Sequence, residues 1–343
     1  MMKKYLLDSG CNWYRANLHC HSTMSDGSMT PEQLKAAYKK EGYSVLCISD
    51  HEILVDHSDL DDESFLTITG VEYSINDDKP AYPQLVPKGR ERDFEYVKVV
   101  HINFFAKDQH NTVHPAFTSG AVWGNARKYL SDAKGEEFER KYTIECINEM
   151  IKRGNDTGFL VQYNHPHWSL NSRDEYLALE GLWATEIFNY ATYNEAGNEY
   201  TPYVYDDMLR SGKKLFCTMN DDNHNPGGQL LNHSFGGYNM IGAKELKYDS
   251  IINALEKGNF YCSQGPRIYA LYVEDGKIKI DCSPVSSVFV SGLGRCFRHE
   301  HGRDVTHAEF DLRKEDVFLR VTLCDRNGRY ANTNAYYIKD IIG

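Results

Sequence analysis

Seven short apolar, β-rich runs recur along the first two thirds of the chain. They are "RANLHCH" (15–21), "SVLCISD" (44–50), "FLTITGVEY" (65–73), "VKVVHINFFA" (97–106), "GFLVQYNH" (158–165), "LWATEIFN" (182–189) and "KKLFCTMND" (213–221). Most are continuous rather than alternating, the pattern of strands covered on both faces. Stretches of helical period separate several of them. The clearest is "TPEQLKAAYKKEGY", with Thr30 as N-cap, Pro31 in the first turn, Gln33 completing a capping box and Gly42 near the stop. Others fall at about 136–153, 199–211 and 244–258. Strand–helix alternation predicts an α/β fold with parallel strands.

The pattern breaks twice. Between the third and fourth runs, "SINDDKPAYPQLVPKGRERDFEY" is rich in proline and charge and has no helical period, which predicts a long loop or hairpin excursion. After "NFYCSQGP" the chain turns to alternating runs around Asp275-Gly276, then to short β segments and turns without a helix. The expected organisation is therefore a β/α domain over 1–265 and a small all-β appendage over 266–343.

Composition narrows the class. No window holds the roughly 18 consecutive apolar residues of a membrane span. The start, "MMKKYLLDSGCNWYR", lacks the apolar core of a signal peptide, so the expected setting is cytoplasmic, with no membrane partner. Nine cysteines without a C-x-x-C pair read as reduced, and Cys20, Cys47 and Cys217 lie in apolar runs where a thiol behaves as a small hydrophobe. A net charge of −11 argues against a long nucleic acid as partner, although bound divalent cations would offset part of it.

The polar residues within the runs carry the chemistry. In "NLHCHSTMSDG", His19 and His21 are two apart, so an extended chain puts both on one face, and Asp26 follows in the next loop. The second run ends in Asp50 and His51, and the third carries Glu72 at its end. His101 lies in the fourth run, His165 closes the fifth, and Asp222 and His224 follow the seventh. Parallel strands in a barrel bring such ends to one rim, the usual place for an active site. His, Asp and Glu without cysteine form the N/O donor set of a catalytic metal cluster. The other histidines, His57, His110, His114, His233, His299, His301 and His307, read as surface or loop residues. His167, two residues from His165, is a candidate substrate contact.

At these residues the sequence resembles the polymerase and histidinol phosphatase (PHP) family of metal-dependent hydrolases, over roughly residues 15 to 265. The H-x-H-x4-D-G motif matches His19, His21, Asp26 and Gly27, and the D-H strand end matches Asp50 and His51. The bridging glutamate matches Glu72, the fourth-strand histidine His101, the H-P motif His165-Pro166, and the D-x-H motif Asp222 and His224. The resemblance implies a distorted (β/α)7 TIM-like barrel and two or three divalent ions, zinc, manganese or iron. One ion would lie between His19, His21, Glu72 and Asp222, a second between Glu72, His101 and His165, and a third between Asp26, His51 and His224. The small β module after the barrel is similar to that of the branch with carbaryl-hydrolase-like members.

The implied chemistry is hydrolysis of a small phosphorylated substrate by metal-activated hydroxide. Asp222 would be ligand and proton acceptor beside the bridging Glu72, and His224 or His51 an acid if the third ion is absent. Asp50 is expected behind the ligands, orienting one of them. Arg127, Lys128 and Arg267 are the candidate anion contacts, and Trp123, Trp168 and Tyr190 could stack a base or an aromatic leaving group. Two alternatives stand beside this reading. One is hydrolysis of a carbamate, amide or carboxyl ester, which a rim poor in basic residues would favour. The other is a non-catalytic metal-binding regulatory module. Substrate identity and oligomeric state are left open.

Overall fold

The computed structural model describes residues 3–230, 232–295 and 298–342. Each of the seven runs forms a strand: β1 (Asn12–Asn17), β2 (Val45–Ile48), β3 (Leu66–Pro80), β4 (Val97–Ala106), β5 (Phe159–Tyr163), β6 (Ala184–Asn189) and β7 (Phe216–Asn220). They lie side by side in chain order. β1, β2 and β3 are parallel, as are β5, β6 and β7. β4 runs antiparallel to both neighbours, which departs from the all-parallel expectation. The reason lies in the connection: the segment between β3 and β4 holds no α-helix, and without a crossover consecutive strands pair as a hairpin. β3 therefore continues to Pro80 as half of that hairpin, which leaves Glu72 in mid-strand rather than at a strand end.

The helices form where their caps are. α1 (Pro31–Lys40) has the expected box, with Thr30 Oγ1 accepting from Gln33 N and the Gln33 side chain accepting from Thr30 N. α2 (Ile144–Asp156) begins later than its periodicity suggested, because Thr143 Oγ1 accepts from Cys146 N and sets the start there. α3 (Arg173–Ala178), α4 (Tyr190–Ala196), α5 (Pro202–Arg210) and α6 (Tyr248–Glu256) follow. None of the helices among the described residues is long and apolar enough to cross a membrane.

β1 and β7 share no ladder among the described residues; β1 pairs instead with β8 (Tyr238–Ala243), antiparallel, and β8 with β9 (Phe260–Ser263). Side-chain amides satisfy the edge of β7 that this leaves open. Cys217 N donates to Asn334 Oδ1 (3.0 Å), Met219 N to Asn239 Oδ1 (3.3 Å) and Asp221 N to Asn17 Oδ1 (3.0 Å). These N–H groups alternate along the strand, as one edge of a β-strand requires. Asn239 Nδ2 also reaches Met219 O (3.0 Å) and Asn220 Oδ1 (2.8 Å). Past the strand ends the two chains meet directly: Asp222 N donates to His19 O (3.0 Å) and His21 N to Asn223 O (3.1 Å).

Beyond β9 the chain forms β10 (Ile268–Glu274), β11 (Lys277–Gly292), β12 (Arg298–Asp311), β13 (Phe318–Cys324) and β14 (Tyr330–Thr333). Asp275 and Gly276, at φ 50° and 73°, make the tight turn between β10 and β11 that the dipeptide predicted. Two expectations fail here. β11 and β12 are 16 and 14 residues long rather than short, and a five-residue helix, α7 (Ile338–Ile342), ends the described chain. Alternate residues of β10, β11 and β13 fill a separate apolar cluster that includes Leu271, Ile278, Val288 and Val321. β14 pairs with β9, so one sheet runs through both regions. Cys20, Cys47 and Cys217 are buried free thiols, as their apolar setting predicted.

Replacing Asn239 by leucine removes the groups that satisfy Met219 N and O inside the protein. We expect the N239L variant to lose about 3 kcal/mol of stability, from two orphaned backbone groups, in urea unfolding. An unchanged midpoint would show that the amide row does not hold the β1–β7 edge.

Candidate metal centre

The nine motif residues meet at one end of the seven strands. Their donor atoms form three groups, within each of which the atoms lie inside 4.8 Å of one another. These are His19, His21, Glu72 and Asp222; Glu72, His101 and His165; and His21, Asp26, His51 and His224. The extended chain beyond β1 keeps its alternation, with Leu18 and Cys20 in apolar clusters and His19 and His21 in the site. His51 sits just past β2, bridged to Glu72. His101 comes from the middle of the reversed strand β4.

Glu72 is the hub. Its Oε1 faces His19 Nε2 (3.2 Å), His101 Nδ1 (3.3 Å) and His165 Nε2 (3.5 Å), and its Oε2 faces His21 Nε2 (3.2 Å) and His51 Nδ1 (3.3 Å). Asp222 Oδ1 lies 3.2 Å from His19 Nε2 and 3.0 Å from His21 Nε2. Asp26 Oδ2 lies 3.2 Å from His224 Nε2 and 3.9 Å from His51 Nε2.

The donor set fits divalent cations. His19 Nε2, His21 Nε2, His51 Nδ1 and Asp222 Oδ1 are buried and have no hydrogen-bond partner among the described residues, although they crowd together. Buried polar atoms are seldom left so, and lone pairs aimed at cations within these donor groups would account for it. The electrostatics agree. Burial alone would lower the His21 pKa, but the carboxylates of Asp222 and Glu72 lift it to about 10. Against burial, the neighbouring histidines hold Glu72 and Asp222 well below the usual carboxylate range. Burial, joined by His21, pushes His51 down to about 3.

A further layer holds these ligands in place. Glu186, on β6, the strand with no motif residue either within it or just past its end, was missed by sequence reasoning. Its Oε1 meets His19 Nδ1 (3.2 Å) and accepts from Asn220 Nδ2 (2.9 Å), while Oε2 accepts from His165 N (3.2 Å) and Asn189 Nδ2 (2.9 Å). A lone carboxylate in the apolar run "LWATEIFN" was its signal, since a buried charge needs partners. Asn164 Nδ2 donates to Glu72 Oε1 (2.7 Å), and Asn189 Nδ2 to Asp222 Oδ2 (3.0 Å). Asp50 touches no ligand ring; it accepts from Ser22 N (2.7 Å), Ser22 Oγ (2.6 Å) and Ser25 Oγ (2.5 Å), fixing the loop between His21 and Asp26. His165 and Asp222 have φ of 23° and 52°, strained for non-glycine residues and costing about 1–3 kcal/mol each.

The groups open into a cavity of about 640 Å³, lined also by Phe94, Trp123, Trp168, Thr192, Glu195 and His233. Arg127, Arg267 and His167 are exposed and do not line it, nor does Tyr190. Arg127 Nε donates to Val122 O (3.1 Å), and His167 Nε2 meets Asn198 Nδ2 (2.6 Å). Of the histidines expected at the surface or in loops, His57, His114 and His233 lie in loops but are buried. His114 pairs with Tyr73 Oη (2.7 Å) and Leu54 N (3.3 Å), and His233 reaches the cavity wall. His110, His299, His301 and His307 are exposed, as expected.

No family model matches the chain, and no curated protein matches it. Among solved structures, it is similar to a two-domain protein containing a predicted PHP-like metal-dependent phosphoesterase from Bacteroides vulgatus, at 12% identity over 96% of each chain with a TM-score of 0.45. It is also similar to a protein assigned to the metal-dependent phosphoesterases from Bifidobacterium adolescentis, at 17% identity over 63% of this chain and 89% of that one, TM-score 0.39. A third is an amidohydrolase from Chromobacterium violaceum with bound sulfate and no metal, at 16% identity over 62% and 89%, TM-score 0.34. At these scores the reading of the site rests on the geometry of this chain.

Two outcomes follow from the donor set. Metal removal by a chelator should lower thermal stability, because an ion at 100 times its Kd stabilises the folded chain by about 2.7 kcal/mol; an unchanged melting temperature would contradict tight binding. Glu186→Ala should weaken metal affinity about 10–100-fold in competition with a chromogenic chelator, since the carboxylate behind His19 is lost. Unaltered affinity would remove Glu186 from the centre.

Proposed function

We propose that the protein is a metal-dependent hydrolase that cleaves a small phosphate ester. The observation that carries this reading is the sharing of Glu72 and His21 between donor groups on the wall of one cavity, which lets the oxygens of a single substrate meet more than one ion. Divalent cations held there bring the pKa of water toward neutrality and offset charge that builds on the scissile group.

The chain's own residues supply the rest. Glu72 joins two of the groups, and the amide of Asn164 donates to its Oε1 and helps fix the carboxylate. Asn189 holds Asp222 by Oδ2, which fixes Oδ1 in the donor group with His19 and His21, and the carboxylate would take the proton from the attacking water. His224 Nδ1 meets the carbonyl of Asp222 (2.9 Å), which fixes the ring and turns Nε2 toward Asp26. If the third donor group holds no ion, His224, a quarter exposed at the rim, is a better placed acid than the buried His51.

A second reading, cleavage of a carbamate, amide or carboxyl ester, draws support from one feature: no lysine or arginine is found among the described residues that line the cavity. A hydrolysis panel on manganese-loaded protein separates the two. A phosphate monoester, a phosphate diester and a carbamate ester are assayed beside the Asp222→Asn variant. We expect phosphate release from wild type and a fall of at least about a hundredfold in the variant. Cleavage of the carbamate alone would replace the phosphoesterase reading with the second one.

A further inference from the structure

Large aromatic side chains line the cavity beside the donor groups. Phe94 and Trp123 are 54% and 45% exposed, and Trp168 is half-buried. Phe94 and Trp168 meet at 5.7 Å between ring centroids, and Trp168 packs on His101 (5.7 Å) and His165 (5.0 Å). Elsewhere in the lining, Trp123 lies 5.6 Å from His51. Two exposed rings, Phe94 and Trp123, and the half-buried Trp168 together form the kind of apolar patch that marks a binding surface. Trp168 is also held in place. Its backbone N donates to Glu199 Oε2 (2.6 Å), and the neighbouring His167 N donates to Glu199 Oε1 (3.2 Å), with Glu199 itself buried.

The charge of the same wall points the same way. Outside the donor groups, the described lining residues include one acidic side chain, Glu195, and no lysine or arginine. A substrate with a second phosphate or carboxylate away from the metals would find no lysine or arginine there and would face a carboxylate.

We infer that this cavity takes substrates with one anionic head, at the metal donors, joined to a planar apolar group that rests against Phe94 and Trp168. Sugar bisphosphates and nucleoside polyphosphates are the wrong shape of charge for it. This inference rests on the hydrolase reading and adds the leaving-group class to it.

Non-hydrolysable phosphonates test it without turnover. Manganese-loaded protein, with metal content measured first, is titrated by calorimetry with phenylphosphonate, methylphosphonate and 2-carboxyethylphosphonate, while tryptophan fluorescence is followed. Phenylphosphonate should bind about tenfold more tightly than methylphosphonate and quench the emission, as one ring-on-ring contact with its buried area implies. The carboxyethyl compound should bind no better than the methyl one. In Trp168→Leu and Phe94→Ala the phenyl preference should fall several-fold while methylphosphonate binding stays. Phe94 is exposed, so its variant keeps the test free of folding effects. Equal affinities for the phenyl and methyl compounds, tighter binding of the carboxyethyl compound, a preference that survives both substitutions, or no phosphonate binding by metal-bearing protein would overturn the inference alone. A protein that takes up no metal would overturn the hydrolase reading, and the inference with it.

Discussion

A single buried carboxylate holds the site together. Glu72 is almost wholly shielded from water and has five imidazoles within 3.2–3.5 Å. An ionised carboxylate in such a place is costly unless its neighbours compensate, and compensation by protons alone would require several adjacent imidazoles to be cationic at once. Divalent cations resolve the conflict, because they let the imidazoles be neutral and the carboxylates ionised. The orphaned nitrogens around Glu72 and the opposed shifts of His21 and His51 are two views of this one constraint.

The scaffold serves the same hub. The hairpin of β3 and β4 puts Glu72 and His101 in regular, fully paired backbone, where their positions are rigid. Asp222 and His224 follow β7 directly, and the open edge of that strand is fixed by amides from Asn17, Asn239 and Asn334. Asn220, last in that strand, links the amide row to Glu186 and through it to His19. Strain at His165 and Asp222 is tolerated because both backbones are anchored, His165 N by Glu186 and Asp222 N by the carbonyl of His19.

Much of this was legible in the chain. His19 and His21 share a direction because an extended chain alternates, and runs such as "SVLCISD" mark where strands end in polar residues. What stayed hidden depended on partners far away in sequence. The direction of β4 follows from how it pairs, not from its own residues, and with it went the mid-strand place of Glu72. Asn239 reads as any polar residue in a strand until Met219 lies beside it. His114 does lie in a loop, but its burial was hidden because its partner, Tyr73, is 41 residues away. Arg127 and Arg267 were chosen for charge alone, and the cavity wall is aromatic and acidic instead. Its rings, Trp123 and Trp168, could be named among the aromatics but not distinguished from Tyr190.

The most direct test of the central claim is a crystal structure of manganese-loaded protein with anomalous scattering measured at a wavelength that identifies the metal. The account predicts one anomalous peak among His19, His21, Glu72 and Asp222 and a second between Glu72, His101 and His165, with the Glu72 carboxylate bridging the two. Saturated crystals with no peak at Glu72, or with ions bound only elsewhere on the chain, would contradict it.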